Sequence, residues 1–256
     1  MLNAILESKS GRLSRDAEKN IRWSDLFRGS EDLVTATIFE RLSYLPVETA
    51  WQLLATAANG QLHPYRMVEL KTLEFWPMWE TEDRARGVEP DIFIDIALGD
   101  PARRTQIIVE AKHGGAQYAG QLKNEVMAWS KAVADGELEM PDDLIVMAVG
   151  GINSASRRLQ LEHDFAAVTA EIEDVPNLAM VALDWSDLAR AVSLHLPRTS
   201  HEGRIIKDME RALGLYGYRY MVVTRHLEEL LGQRRINRGI LVPIMNLNRY
   251  PVESLK

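Results

Sequence analysis

Residues 89 to 112 constrain this chain more than any other stretch. Two apolar, β-branched runs, Ile-Phe-Ile-Asp-Ile-Ala-Leu from Ile92 and Thr-Gln-Ile-Ile-Val-Glu-Ala from Thr105, flank a polar break that opens with Gly99-Asp100-Pro101 and carries Arg103 and Arg104. Turn residues between two such runs predict a β-hairpin with a longer loop. Side chains alternate faces along a strand, so Glu110 and Lys112 share one face and Ala111 takes the other. Pro90 has no N–H to give to a ladder and suits a strand start, with Asp91 opening the strand. Pairing the two strands brings Asp91 beside Glu110 and Lys112. As a plain exposed hairpin, these charges would simply be solvated.

Two carboxylates and an ammonium crowded on one sheet edge repel or strain one another, more so when partly buried. A hard divalent cation such as Mg²⁺ resolves the conflict, because it takes one or two carboxylates together with substrate phosphate. Lys112 can then orient a bound water or help to deprotonate it. The arrangement resembles the PD-(D/E)XK nuclease superfamily, through Pro90-Asp91 and Glu110-Ala111-Lys112 on consecutive strands. The resemblance implies that Asp91 and Glu110 bind the metal, helped by the Ala111 carbonyl, and that Lys112 supports the attacking water. It implies a restriction endonuclease-like core, a central mixed β-sheet flanked by helices, over about residues 30 to 195.

Upstream, Ser30 can cap a helix that carries Leu33, Val34, Thr37, Ile38 and Leu42 at helical spacing and stops before Pro46. Glu31 and Asp32 fall in its first turn, where the helix dipole favours them. Glu31-Asp32-Leu33-Val34-Thr35 also resembles the superfamily's acidic first-helix pattern, which makes Glu31 a candidate metal ligand, with Glu40 as a substitute. A second helix spans 47 to 60, with Trp51, Leu53, Leu54 and Ala57 on its face. Val68, Leu70, Leu73, Phe75 and Trp76 within 68 to 78 read as the strand before the hairpin, with 73–77 expected in the meander.

After Lys112, His113-Gly114-Gly115-Ala116-Gln117 is a flexible link, and a helix follows from about Tyr118 to Ala134. Gln121 near its start is either a surface amide or, by resemblance, an active-site residue. His113 either approaches phosphate or is solvated. The continuous apolar runs at 144–149 and 178–183 read as buried strands, each followed by a helix, which gives α/β order and a parallel portion of sheet. Ser154 opens the first of these helices, and Ser186 is expected to cap the second. Residues 201 to 231 read as two amphipathic helices broken around Gly214–Gly217. There Tyr216, Tyr218, Tyr220 and Arg219 offer either base stacking or helix packing.

The domain plan expected is an N-terminal arm at 1–29, a nuclease-like domain at 30–200 and a helical extension packed on it at 201–256. The formal charge of −7 argues against a generic nucleic-acid binder, yet it is uneven. Residues 201–256 hold ten Lys+Arg against six Asp+Glu, +4, and the remainder 20 against 31, −11. With no cysteine, disulfides and thiolate metal sites are excluded. No signal peptide or membrane span is visible, so a cytoplasmic protein is expected.

Dinucleotide and phosphate-binding glycine loops, a serine elbow and a His-x-x-x-His pair are all absent. The sequence therefore points to a Mg²⁺-dependent nuclease, with Mn²⁺ able to substitute, acting on DNA in restriction, phage defence or repair. Its candidate residues are Asp91, Glu110, Lys112, Gln121 and Glu31. The alternative is a catalytically silent module of the same shape that binds nucleic acid or a protein partner. A homodimer or a larger assembly is open on either reading.

Overall fold

The hairpin forms as its sequence predicts and becomes the middle of a five-stranded mixed sheet in the computed structural model. The structure describes residues 5, 7, 12–14, 20–81, 87–172 and 175–220. They belong to one unit, Met1–Tyr220. The elements are β1 (Arg12–Ser14), β2 (Asn20–Arg22), α1 (Trp23–Arg28), α2 (Glu31–Ser43), α3 (Val47–Ala57), β3 (Val68–Phe75), β4 (Ile92–Leu98), β5 (Arg103–Ala111), α4 (Ala119–Ala134), β6 (Asp143–Val149), α5 (Ala155–Thr169), β7 (Leu178–Leu183), α6 (Trp185–Leu194) and α7 (Ser200–Leu215). The large sheet runs β3-β4-β5-β6-β7. β3, β4 and β5 form an antiparallel meander, and β6 and β7 extend it in parallel, as βα crossovers require.

Two apolar layers cover the sheet. On one face Ile92, Ile94, Ile96, Val109, Met147 and Leu183 pack with α2, α3, α6 and α7. On the other, Phe93, Ile108, Val146 and Ala182 pack with α4 and α5. β4 is buried along its whole length, so its apolar run is covered on both sides despite its antiparallel neighbours. No helix among the described residues is long and apolar enough to cross a membrane.

Several boundaries differ from those read in the sequence. β3 runs from Val68 to Phe75, inside the 68 to 78 stretch read as a strand and starting ahead of the 73–77 assigned to the meander; its side chains are mostly exposed. β5 begins at Arg103 because Arg103 pairs with Leu98 in the ladder, which shortens the hairpin loop. Asp184, not Ser186, caps α6: its side chain accepts the Ser186 N–H and it forms a capping box with Asp187. The arm holds a two-stranded ladder, β1 with β2, that periodicity did not signal. Of the two helices read at 201–231, the first is α7, which ends at the Tyr216 C-cap. The second, beyond Tyr220, lies outside the described residues.

Candidate active site

Parity places the site. Ile92 pairs with Val109, so the next step along each strand sets Asp91 opposite Glu110. Asp91 and Glu110 lie on the same side of the sheet as Phe93 and Ile108, the side covered by α4. Both carboxylates are buried, Asp91 at 9% and Glu110 at 3% exposure. The Asp91 Oδ2 accepts the Ala111 N–H at 2.7 Å, which fixes the carboxylate across the two strand ends.

Lys112 continues β5 by one residue: its N–H donates to Val149 O at 2.8 Å. Its ammonium pairs with Glu110 Oε1 and lies 3.2 Å from Glu31 Oε1. Glu31 comes from the first turn of α2, and its other oxygen accepts the His113 N–H at 2.7 Å. Ser30, not Glu31, supplies the cap, accepting the Leu33 N–H at 3.4 Å. Gln121 donates from α4 to Glu110 Oε1 at 2.5 Å. All five residues singled out in the sequence therefore meet in one place. Glu40 is elsewhere, bonded to Tyr44 and Arg41 on the surface. Asp95 is committed to Arg104 and Gln106 further down β4.

Two members of the cluster escaped sequence reading. Glu125, one turn beyond Gln121 on α4, is 1% exposed, meets the Glu110 carboxylate, and leaves its Oε2 buried without a hydrogen-bond partner. Its signal was present: it interrupts the apolar stripe Leu122, Val126, Trp129 of a helix, where a solvated glutamate has no place. Gln117, read as part of a flexible link, is 1% exposed and donates to Glu110 O at 3.0 Å and to Val149 O. Nothing in its local sequence marks that role.

The loop around Lys112 is bolted from several sides. Trp185 Nε1–H donates to Lys112 O at 3.0 Å. His113 is neither solvated nor free for phosphate: its ring nitrogens lie 2.8 Å from Tyr218 Oη and 2.7 Å from Arg28 O. Tyr216 and Tyr218 set their rings edge-on to the His113 imidazole, so for two of the three tyrosines packing, one of the two readings of the sequence, is what the structure shows.

The electrostatics are those of crowded acids. Burial, then the Glu110 charge, pushes the Asp91 carboxyl up to about 7 against the opposing Ala111 N–H and Lys112. Burial, reinforced by Glu110 and Asp91, raises Glu125 well above the ordinary carboxyl range. Burial opposes the charged form of Lys112, but the contacts with Glu110 and Glu31 outweigh it and raise its pKa. These contacts favour the ammonium form of Lys112, a hydrogen-bond donor and positive charge.

Among the described residues no three His, Asp or Glu side chains are drawn into one ready coordination shell, and Lys112 lies on a Glu110 oxygen. The chemistry of the donor set nevertheless fits a hard cation: three buried carboxylates, Asp91, Glu110 and Glu125, face one ammonium, and one of their oxygens is orphaned.

No family model matches the chain. The chain is 28% identical over 233 residues to an uncharacterized protein of Pasteurella multocida (strain Pm70), a match covering 86% of this chain and 81% of that one. No solved structure matches it.

Proposed function

We propose that this chain is a metal-dependent nuclease of the PD-(D/E)XK kind, hydrolysing phosphodiester bonds, most directly of DNA. The observation that carries the reading is the meeting of Asp91, Glu110 and Lys112 at the ends of β4 and β5, with Glu31 and Gln121 closing on them from two helices. The antiparallel meander followed by parallel strands is compatible with a restriction endonuclease-like core. The cysteine-free composition suits a cytoplasmic enzyme.

Asp91 and Glu110, with the Ala111 carbonyl and Glu31, would hold Mg²⁺ or Mn²⁺. When bound, the cation supplies Lewis acidity and stabilises charge on the phosphate. Glu110 is aimed by Gln121, and its own backbone carbonyl is fixed by Gln117. Lys112, charged and held between two glutamates, orients the attacking water and stabilises developing negative charge. Glu31 keeps the lysine and the His113 backbone in register.

A second reading is favoured by one observation: the lysine is tied directly to Glu110, and no complete ligand set stands ready. On that reading the chain is a silent module that binds nucleic acid or a protein. Incubating the purified protein with plasmid, linear and single-stranded DNA in Mg²⁺, Mn²⁺ or EDTA separates the two. Cleavage that EDTA abolishes is expected; no cleavage of any substrate under any condition would promote the silent module.

A further inference from the structure

Two residues with exposed aromatic side chains are tied by their backbones to members of the carboxylate cluster. Trp76 follows β3, and its N–H donates to the Asp91 carbonyl oxygen at 3.0 Å. Its side chain is nevertheless 38% exposed, whereas Trp51, Trp79, Trp129 and Trp185 are buried. Its φ is +52°, in the left-handed region that a bulky side chain avoids, and Pro77 follows it. Phe75 lies against it, ring centroids 5.5 Å apart. A strained backbone that turns an indole outward beside Asp91 costs stability and calls for a use.

Tyr118 opens α4 and is 62% exposed. It makes no side-chain cap bond, and its carbonyl accepts the Gln121 N–H at 3.0 Å. One residue away in sequence, the Gln117 carbonyl accepts from the Arg157 guanidinium at 3.1 Å. Gly114 and Gly120, on either side of Tyr118, face open space.

We propose that Trp76 and Tyr118 are stacking platforms for unpaired bases, so that the strand brought to Asp91, Glu110 and Lys112 is single-stranded nucleic acid, free or as an overhang. Bases in a duplex spend their faces on one another; only unpaired bases offer them to protein rings. Two platforms, one joined to Asp91 through the Trp76 N–H and one to Gln121 through the Tyr118 carbonyl, hold a strand at the carboxylates, with Arg157 on its backbone. This rests on the phosphodiesterase reading above.

The test is fluorescence anisotropy with a labelled single strand of about 16 nucleotides, a site size typical of single-strand binding folds, and the same sequence as a blunt duplex. Ca²⁺ replaces Mg²⁺ so that binding is read without turnover. The single strand should bind about tenfold or more tighter than the duplex. Trp76→Ala and Tyr118→Ala should each weaken it by roughly 5- to 100-fold, as loss of one base–ring stack does. Trp76→Tyr and Tyr118→Phe keep a ring and should restore binding, and matching melting curves separate lost stacking from lost folding. Equal affinity for both forms, or unchanged single-strand binding in both alanine variants, overturns the proposal. So does a Trp76→Ala variant that turns a dimer into a monomer with binding intact, which would make the patch an interface between copies. Single-strand cleavage at wild-type rates in both alanine variants would sink the stacking proposal alone and leave the nuclease standing. Ring-dependent single-strand binding by a protein that cuts nothing would support it and sink the nuclease.

Discussion

Lys112 owes its position to glycine. Gly150 has φ +73° and Gly151 φ +68°, conformations that side chains rarely adopt. A Cβ on Gly150 would run into the Lys112 carbonyl oxygen and come within 2.6 Å of the Trp185 ring. A Cβ on Gly151 would press on Gly115, Gln117 and Lys112 itself. The strand end β6 can therefore lie under the lysine only if both residues lack side chains. Gly150→Ala should cost about 2 kcal/mol or more in urea unfolding, since it combines left-handed strain with overpacking. An unchanged unfolding midpoint would mean that the Lys112 loop yields freely. The site residues legible in the sequence were those whose partners lie on paired strands or at a helix start. Gln117 was not legible, because its role depends on a loop folding back between β5 and β6.

Among the elements, α7 shows how a buried charge fastens a helix to the core. Glu202, 2% exposed in its first turn, accepts from the Arg198 N–H at 2.5 Å and from Thr49 of α3 at 3.0 Å, and lies 3.0 Å from His195 Nε2. Burial pushes its carboxyl up, but the bonds from Arg198, His195 and Thr49 outweigh burial and hold it below the ordinary value. A depressed carboxyl contributes stability that is fully present above its unfolded pKa of about 4.5 and is lost as pH falls through the lower folded value. Thermal melts from neutral to acid pH should show that loss, and Glu202→Gln should be less stable by about 1–3 kcal/mol at neutral pH with a flatter acid limb. Parallel acid limbs would detach Glu202 from the effect. The edges of the sheet are guarded in different ways. The Gln61 amide bonds both the N–H and the carbonyl of Ala182 on β7. β3 carries Glu69, Lys71 and Glu74 and a register shift between Leu70 and Thr72. Such an edge strand is polar on its outer side. β4 to β7 were legible because each is an apolar run that sheet burial demands.

At the scale of the whole molecule, the sheet brings Asp91, Glu110 and Lys112 together at the ends of two strands, and α2 and α4 close on them from different layers. The α/β order and mixed sheet were readable from the alternation of apolar runs and helices; the β1–β2 ladder was not, because strands this short carry no period. Acid crowding predicts cation binding. Mn²⁺ at about a hundredfold excess over its Kd should add about 2.7 kcal/mol, or some 5–10 °C in Tm, and Asp91→Ala should lose most of that gain. An equal shift in the variant would place the cation elsewhere. The proposed reaction rests on Lys112, whose ammonium is held between Glu110 and Glu31 and shares the carboxylates' face. Lys112→Met keeps the stem and removes the charge. Single-turnover cleavage of DNA with Mg²⁺ should fall by about 10²–10⁴-fold in this variant, the range for losing a positioned proton-transfer or charge-stabilising group, while folding and DNA binding persist. Wild-type cleavage rates in a folded Lys112→Met protein would contradict the assigned site.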